Sequence, residues 1–238
     1  VAYRGPRGGA WRVVYERFDG VDEGVGEEEV CRANLEASLG AAERLRGLLA
    51  SAGEAFLVFH VRRAGRREPR GSLNAHPYRV SAMLRGGVVE LFVAHNGGLR
   101  KDELASLLGV DASSYTDSHL LAAWLARRME EGADLVEALG EGYRFVKSGY
   151  DVAVLGLRDR LRGVEPWLLF AAGMARGLDE ARVRYYAPYG FESDGAAGYV
   201  SSTVAERCRD GCGASFRRLG DGVYAATWRG LQRLRGLG

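Results

Sequence analysis

The chain has 238 residues, enough to bury a sizeable core, and 47% of them are hydrophobic against 27% charged, a globular balance that excludes disordered and fibrous classes. A formal net charge of +2 shows no overall basic excess of the kind that nucleic-acid binders concentrate. No apolar run approaches the length of a spanning helix, and residues 1–7 lack the basic head and apolar core of a signal peptide, so the expected setting is cytoplasmic with no membrane attachment.

Lys101 and Lys147 stand as the only lysines beside 31 arginines, a skew that reads first as genome bias. Cys31, Cys208 and Cys212 make no zinc pattern. Cys208 and Cys212, four apart, fit either one helical turn or a disulfide across a short loop, and free thiols are the cytosolic expectation.

In chain order, Val1-Ala2-Tyr3-Arg4-Gly5 reads as the end of a strand, because an extended apolar start runs into a Gly-Pro break. Residues 11–18 mix β-branched and aromatic side chains and predict a second strand. From 27 to 49 the apolar positions Val30, Leu35, Leu39, Ala42, Leu45, Leu48 and Leu49 recur at three- and four-residue spacing, which predicts one amphipathic helix, continuous or broken at Gly40, with Cys31 as a structural residue. The continuous apolar run 55–61 predicts a central strand buried on both faces. Five arginines follow between Arg62 and Arg70, read as a solvated turn in preference to a phosphate or nucleic-acid patch.

Residues 78–84 and 88–95 predict a hairpin closed by Arg85-Gly86-Gly87, and Asn96-Gly97 carries a tight-turn signal at the end of its second arm. Helices are expected over 101–108, stopped by Gly109, over 117–131, capped by Thr116 or Asp117, and over 134–146. Strand-like segments at 151–157, 167–174, 182–189, 198–202 and 223–227 complete the chain. Helices in the middle with strands on either side point to layered sheets in one domain over 1–238, not to a chain of βαβ units.

Four short motifs line up along this order: His60-Val61-Arg62, Asn74-Ala75-His76-Pro77, His95-Asn96-Gly97 and Thr116-Asp117-Ser118. Together, in this order and spacing, they resemble the glutaminase domain of class II glutamine amidotransferases, which carry HxR, NAHP, HNG and TDS or TDT segments. The likeness covers about 56–125 well, and looser similarity extends to the segments VKSGYDVAVLGL and GYVSST. It implies an N-terminal nucleophile hydrolase fold: an α+β, four-layer αββα sandwich of two antiparallel sheets between helical layers. Its implied reaction hydrolyses glutamine to glutamate and ammonia, without a cofactor or metal; with no synthetase domain visible in the sequence, the expectation is that ammonia passes to a separate synthetase or that a related amide is hydrolysed instead.

The residue types suit that chemistry. Glutamine is a zwitterion, so a selective pocket wants a cation for its α-carboxylate and an anion for its α-ammonium, and Arg62 and Asp117 are the candidates. Attack on the side-chain amide creates an oxyanion that preorganised donors stabilise. By the family's pattern these are the Asn96 side chain and the Gly97 backbone N–H. Asn74 and His76 are expected to shape the substrate loop, with Pro77 fixing the entry to the strand. His60 and His95 are read as structural hydrogen-bonding groups in preference to metal or triad residues.

Two positions depart from the family. Members attack with a cysteine at the mature N-terminus, whereas residue 1 here is Val, and Cys31, Cys208 and Cys212 cannot replace it. Because a Cys-Arg pair opens the corresponding strand in the family, the expectation is a nucleophile just upstream of Val1. His119 stands where relatives often carry Glu. The competing expectation is a non-catalytic glutamine-binding or regulatory protein that keeps the pocket without the nucleophile, and nucleic-acid binding through the arginine loop ranks last.

Overall fold

The computed structural model describes residues 1–18, 27–61, 71–160, 163–227 and 230–237. Its platform is a six-stranded antiparallel sheet in the order β12-β11-β7-β6-β5-β4. The strands are β4 (Tyr78–Leu84), β5 (Gly87–Leu99), β6 (Val146–Arg160), β7 (Gly163–Ala172), β11 (Gly222–Thr227) and β12 (Gly230–Gly236). β4 and β5 form the predicted hairpin, in register from Leu84 opposite Gly87 to Tyr78 opposite Val93.

Alternation along these strands sends side chains to two cores. On one face Leu91, Val93, Val152 and Val154 pack against a helical layer of α2 (Lys101–Leu108), α3 (Asp117–Glu130) and α4 (Leu135–Gly142). Each helix starts or stops on a legible signal. Gly109 closes α2 in the left-handed conformation at φ 71°, Thr116 Oγ1 accepts from His119 N to cap α3, and Asp134 accepts from Glu137 N to cap α4. Fully buried side chains such as Leu125 each contribute about 1.5–3 kcal/mol of transfer free energy, so this face anchors the fold.

The opposite face presents Phe92, Leu155, Leu157, Leu168 and Phe170 to a second core, shared with two small sheets. One has the order β2-β1-β3, from β1 (Ala2–Gly5), β2 (Gly8–Val13) and β3 (Glu54–Phe56). The other has the order β10-β8-β9, from β8 (Tyr189–Ser193), β9 (Ala196–Val200) and β10 (Ser215–Arg218). Outer helices are α1 (Glu27–Ser51), between β2 and β3, and α5 (Glu180–Tyr185) with α6 (Ser202–Cys208), the latter against β8. The α+β class and the layering of antiparallel sheets between helices are as expected. The second sheet layer, however, is divided into two three-stranded pieces.

Several local expectations are corrected. Residues 55–61 yield only the three-residue edge strand β3, because the small sheet offers pairing on one side alone. The second strand ends at Val13, short of residue 18. Residues 182–189 are not a strand: Asp179 accepts from Arg182 N and starts α5, and β8 begins only at Tyr189. Helix α1 passes through Gly40 unbroken. Its half-buried stripe uses Val30, Ala33, Ala37, Ala41, Leu45 and Leu48, whereas Leu35, Leu39 and Cys31 are exposed. Among the described residues no helix is long and apolar enough to cross a membrane.

Candidate functional site

The site is built around the last third of β5. Asn96-Gly97 is not a turn: β5 runs on to Leu99, with Asn96 opposite Asp151 and Gly97 opposite Tyr150 in β6. Beyond Gly97 the register shifts, since two extra residues of β6 are accommodated before Leu99 meets Val146. Gly97 holds φ at 145°, and a Cβ there would lie 1.9 Å from the Gly149 carbonyl oxygen, so only glycine fits this crossing.

Alternation then separates the two motif residues beside Gly97. His95 faces the helical layer, where Nδ1 lies 3.0 Å from Ser118 Oγ and Nε2 3.4 Å from the Gly149 carbonyl. A tautomer with its proton on Nε2 satisfies both contacts, which gives His95 the expected structural role. Asn96 shares the inter-sheet face with Phe92. Its amide lies beside the carboxyl of Asp151, and the Tyr199 hydroxyl of β9 approaches from the small sheet.

Burial pushes the Asp151 carboxyl well above the usual carboxylate range, against the pull of the Tyr199 and Asn96 donors and with the Asp221 charge adding to the rise. Burial likewise raises the Tyr199 hydroxyl, and Asp151 adds to it. Asp151 Oδ1 and the Tyr199 hydroxyl are buried without a hydrogen bond of full geometry among the described residues, which leaves two polar atoms available beside Asn96. The native state therefore keeps a proton on Asp151 that the unfolded chain releases near pH 4. Stability accordingly falls as pH rises from that value toward the raised native one. Asp151→Asn, which cannot ionise, is expected to melt higher than wild type at pH 7, with the gain vanishing below about pH 4. Melting temperatures across that range check this, and a wild type favoured at neutral pH would show an ionised, compensated carboxylate instead.

The other motif segments lock onto the helical side of β5. Asp117 Oδ2 accepts from Leu99 N at 2.9 Å and Oδ1 from Ser118 N at 2.7 Å, which ties the start of α3 to the end of β5. The Tyr78 hydroxyl donates to the Asn74 carbonyl at 2.7 Å and lies 2.7 Å from Thr116 Oγ1, so the NAHP and TDS segments meet on one phenol. His76 is buried, with its ring 4.3 Å from that of His60 and 4.9 Å from that of Tyr78. Tyr78 in turn stacks on His119 at 4.7 Å. Burial, and then the charge of Arg17, hold His119 below the ordinary histidine value, which favours a neutral ring in this stack.

Asn74, His76 and Asp117 are thus joined on the helical side of the β5 end, whereas Asn96, beside Gly97 on the same strand, faces the other way toward Asp151. Arg62 lies outside the described residues, as does the rest of the arginine loop. Val1 lines a small hollow together with Tyr15, Val58, Pro77, Phe92 and Leu155, of which Phe92 shares the inter-sheet face with Asn96. Cys31, Cys208 and Cys212 are all free and lie on α1 and around the end of α6, none of them among these residues. The sequence reading missed Asp151 and Tyr199. A lone acid heading the apolar strand segment 151–157 was the available signal, because an unpaired carboxyl on a core-facing strand position is rare without a role.

No protein-family model matches the chain, and no curated protein matches it. Among solved structures, it is similar to the glutamine phosphoribosylpyrophosphate amidotransferase of B. subtilis complexed with ADP and GMP, at 20% identity and a TM-score of 0.47. The alignment covers 74% of this chain and 34% of that one, so the chain spans about a third of that protein's length.

Proposed function

We propose that the chain is a glutamine-amidotransferase-like amide hydrolase, a single domain that converts glutamine to glutamate and ammonia with a cysteine nucleophile preceding Val1. One observation carries this reading: Asn96 is presented on the inter-sheet face beside a glycine that no other residue can replace, and the NAHP and TDS segments brace the same strand end.

The β1–β3 register pairs Ala2 with Phe56, so upstream residues continuing β1 would run alongside Val58, Phe59 and His60, next to the Asn96 face. There a thiolate adds to the γ-carboxamide carbon, and the resulting oxyanion takes hydrogen bonds from the Asn96 amide and the Gly97 N–H. Asp151, opposite Asn96 in the neighbouring strand, lies beside that amide and helps to hold it in place. The free α-amino group of the same cysteine takes the thiol proton and delivers it to the departing nitrogen, so collapse expels ammonia and leaves a thioester, which water cleaves to glutamate with return of the thiol. Arg62 and Asp117 hold the α-carboxylate and α-ammonium. No cofactor enters this chemistry, and the ammonia acceptor is a separate synthetase.

Intact mass of the native protein and ammonia release from glutamine test the proposal. The expected result is a mature chain that begins with cysteine and loses activity on Cys→Ala; a native chain beginning at Val1 would overturn it. Arg62→Ala and Asp117→Ala are expected to raise KM for glutamine by about 10–100-fold, the worth of one hydrogen bond to a charged group. Asp117→Asn controls for the bonds that Asp117 makes to Leu99 and Ser118, since it keeps an acceptor for one of them. An unchanged KM in both Asp117 variants would remove Asp117 from the substrate pocket.

A second reading is a glutamine-binding regulator without turnover, favoured by the absence of every described cysteine from the Asn96 assembly. Its signature is glutamine binding by the native chain with no ammonia released.

A further inference from the structure

On the far side of the platform from Asn96, a cleft of about 760 Å³ opens between α3, the α4–β6 connection and β12. Four guanidinium groups line it, from Arg127, Arg128, Arg144 and Arg235, against two carboxylates, Glu131 and Glu141. The pairing is uneven. Arg128 donates to both oxygens of Glu141, at 2.8 and 3.2 Å, and Arg127 reaches Glu131 at 3.0 Å and the Leu107 carbonyl at 2.8 Å. These contacts consume both acids.

Arg144 and Arg235 form no ion pair among the described residues, and both exposed side chains rest against neighbouring groups. The Arg144 guanidinium lies 4.6 Å from the Phe145 ring centre and 5.9 Å from that of Trp124, while its carbonyl accepts from Arg100. Arg235 packs on Gly140 so closely that a Cβ there would lie 2.9 Å from Nε. Both residues line this one cleft. Arg128 holds the Glu141 carboxyl below its ordinary value by hydrogen bonding, and the charges of Arg144 and Arg235 both add to the lowering.

We propose that this cleft binds an organic phosphate, with Arg144 and Arg235 taking the phosphoryl group. A guanidinium fork matches phosphoryl oxygens bidentately, and here two such forks, free of ion pairs, line the same cleft. The cleft volume far exceeds one phosphoryl group, which leaves room for the organic part along Arg127 and Tyr143. This site is independent of the glutaminase reading, because it uses the helical face and β12 and none of the motif residues.

Isothermal titration of the native full-length chain with adenosine 5′-monophosphate, pyrophosphate and adenosine tests it. The two phosphates are expected to bind with dissociation constants below about 1 mM, and adenosine not to bind. The Arg144→Ala/Arg235→Ala double variant is expected to weaken phosphate binding at least about tenfold, the worth of one charge-assisted contact. Arg217→Ala/Arg218→Ala, on exposed β10, serves as a charge-matched control and should leave binding unchanged. If Arg144→Ala lowers the melting temperature, Arg144→Met keeps the packing on Trp124 and replaces it in the double variant. Absence of binding by the native chain, or equal weakening in the control pair, overturns the site.

Discussion

Asn96→Ala is expected to lower glutamine turnover by about 10²–10³-fold, the loss seen when a side-chain donor is removed from an oxyanion hole. The side chain is half-buried on the inter-sheet face opposite Asp151, so truncation leaves no large cavity and the melting temperature should change little. The effect should fall on kcat with KM nearly constant, because the donor engages charge that develops only during attack. Steady-state ammonia release by the native chain measures this. A normal rate in Asn96→Ala would refute the oxyanion role and leave the strand end as a structural feature.

Gly97→Ala is expected to cost about 3 kcal/mol or more of folding stability, through a different cause. The added methyl would meet backbone, not a flexible side chain: 1.9 Å to the Gly149 oxygen and 2.4 Å to its carbonyl carbon. Gly149 cannot retreat, since a Cβ at its own position would lie 2.3 Å from the Tyr186 ring. The neighbouring strands β5 and β6 and the Tyr186 ring are thus packed without spare room, and a positive φ adds strain for any L-residue. Denaturant unfolding reads the loss, and a value under about 1 kcal/mol would show that the crossing relaxes. Activity should fall as well, because Asn96 precedes the displaced peptide.

What was legible from the sequence divides along local and non-local lines. The β4–β5 hairpin, α2, α3 and α4 follow from periodicity and from caps such as Thr116, Asp134 and Gly109, all within a few residues of the element they bound. The motif segments were also readable, because their residue types and order suffice. Asn96-Gly97 was misread as a turn because its conformation is set by β6, fifty residues later in the chain. The stretch 182–189, with three Tyr and one Val, suggests strand, but the Asp179 cap decides for helix. Leu35 and Leu39 fitted a helical stripe, yet α1 turns its small alanines inward instead. Asp151 and Tyr199 meet only through the packing of two sheets, which no local pattern encodes.

The division of the second sheet layer has a kinetic consequence. Asn96 belongs to a broad six-stranded slab with a core on each face, whereas the inter-sheet face is covered by two three-stranded patches, and the N-terminal one contains β3, of only three residues. Local opening free energies follow such differences in packing, so the amides of β1–β3 should exchange with solvent well before those of β5 and β6. Equal protection in both would show one cooperative block. With the expected gradient, the N-terminal patch loosens first while the strand that bears Asn96 and Gly97 keeps its geometry.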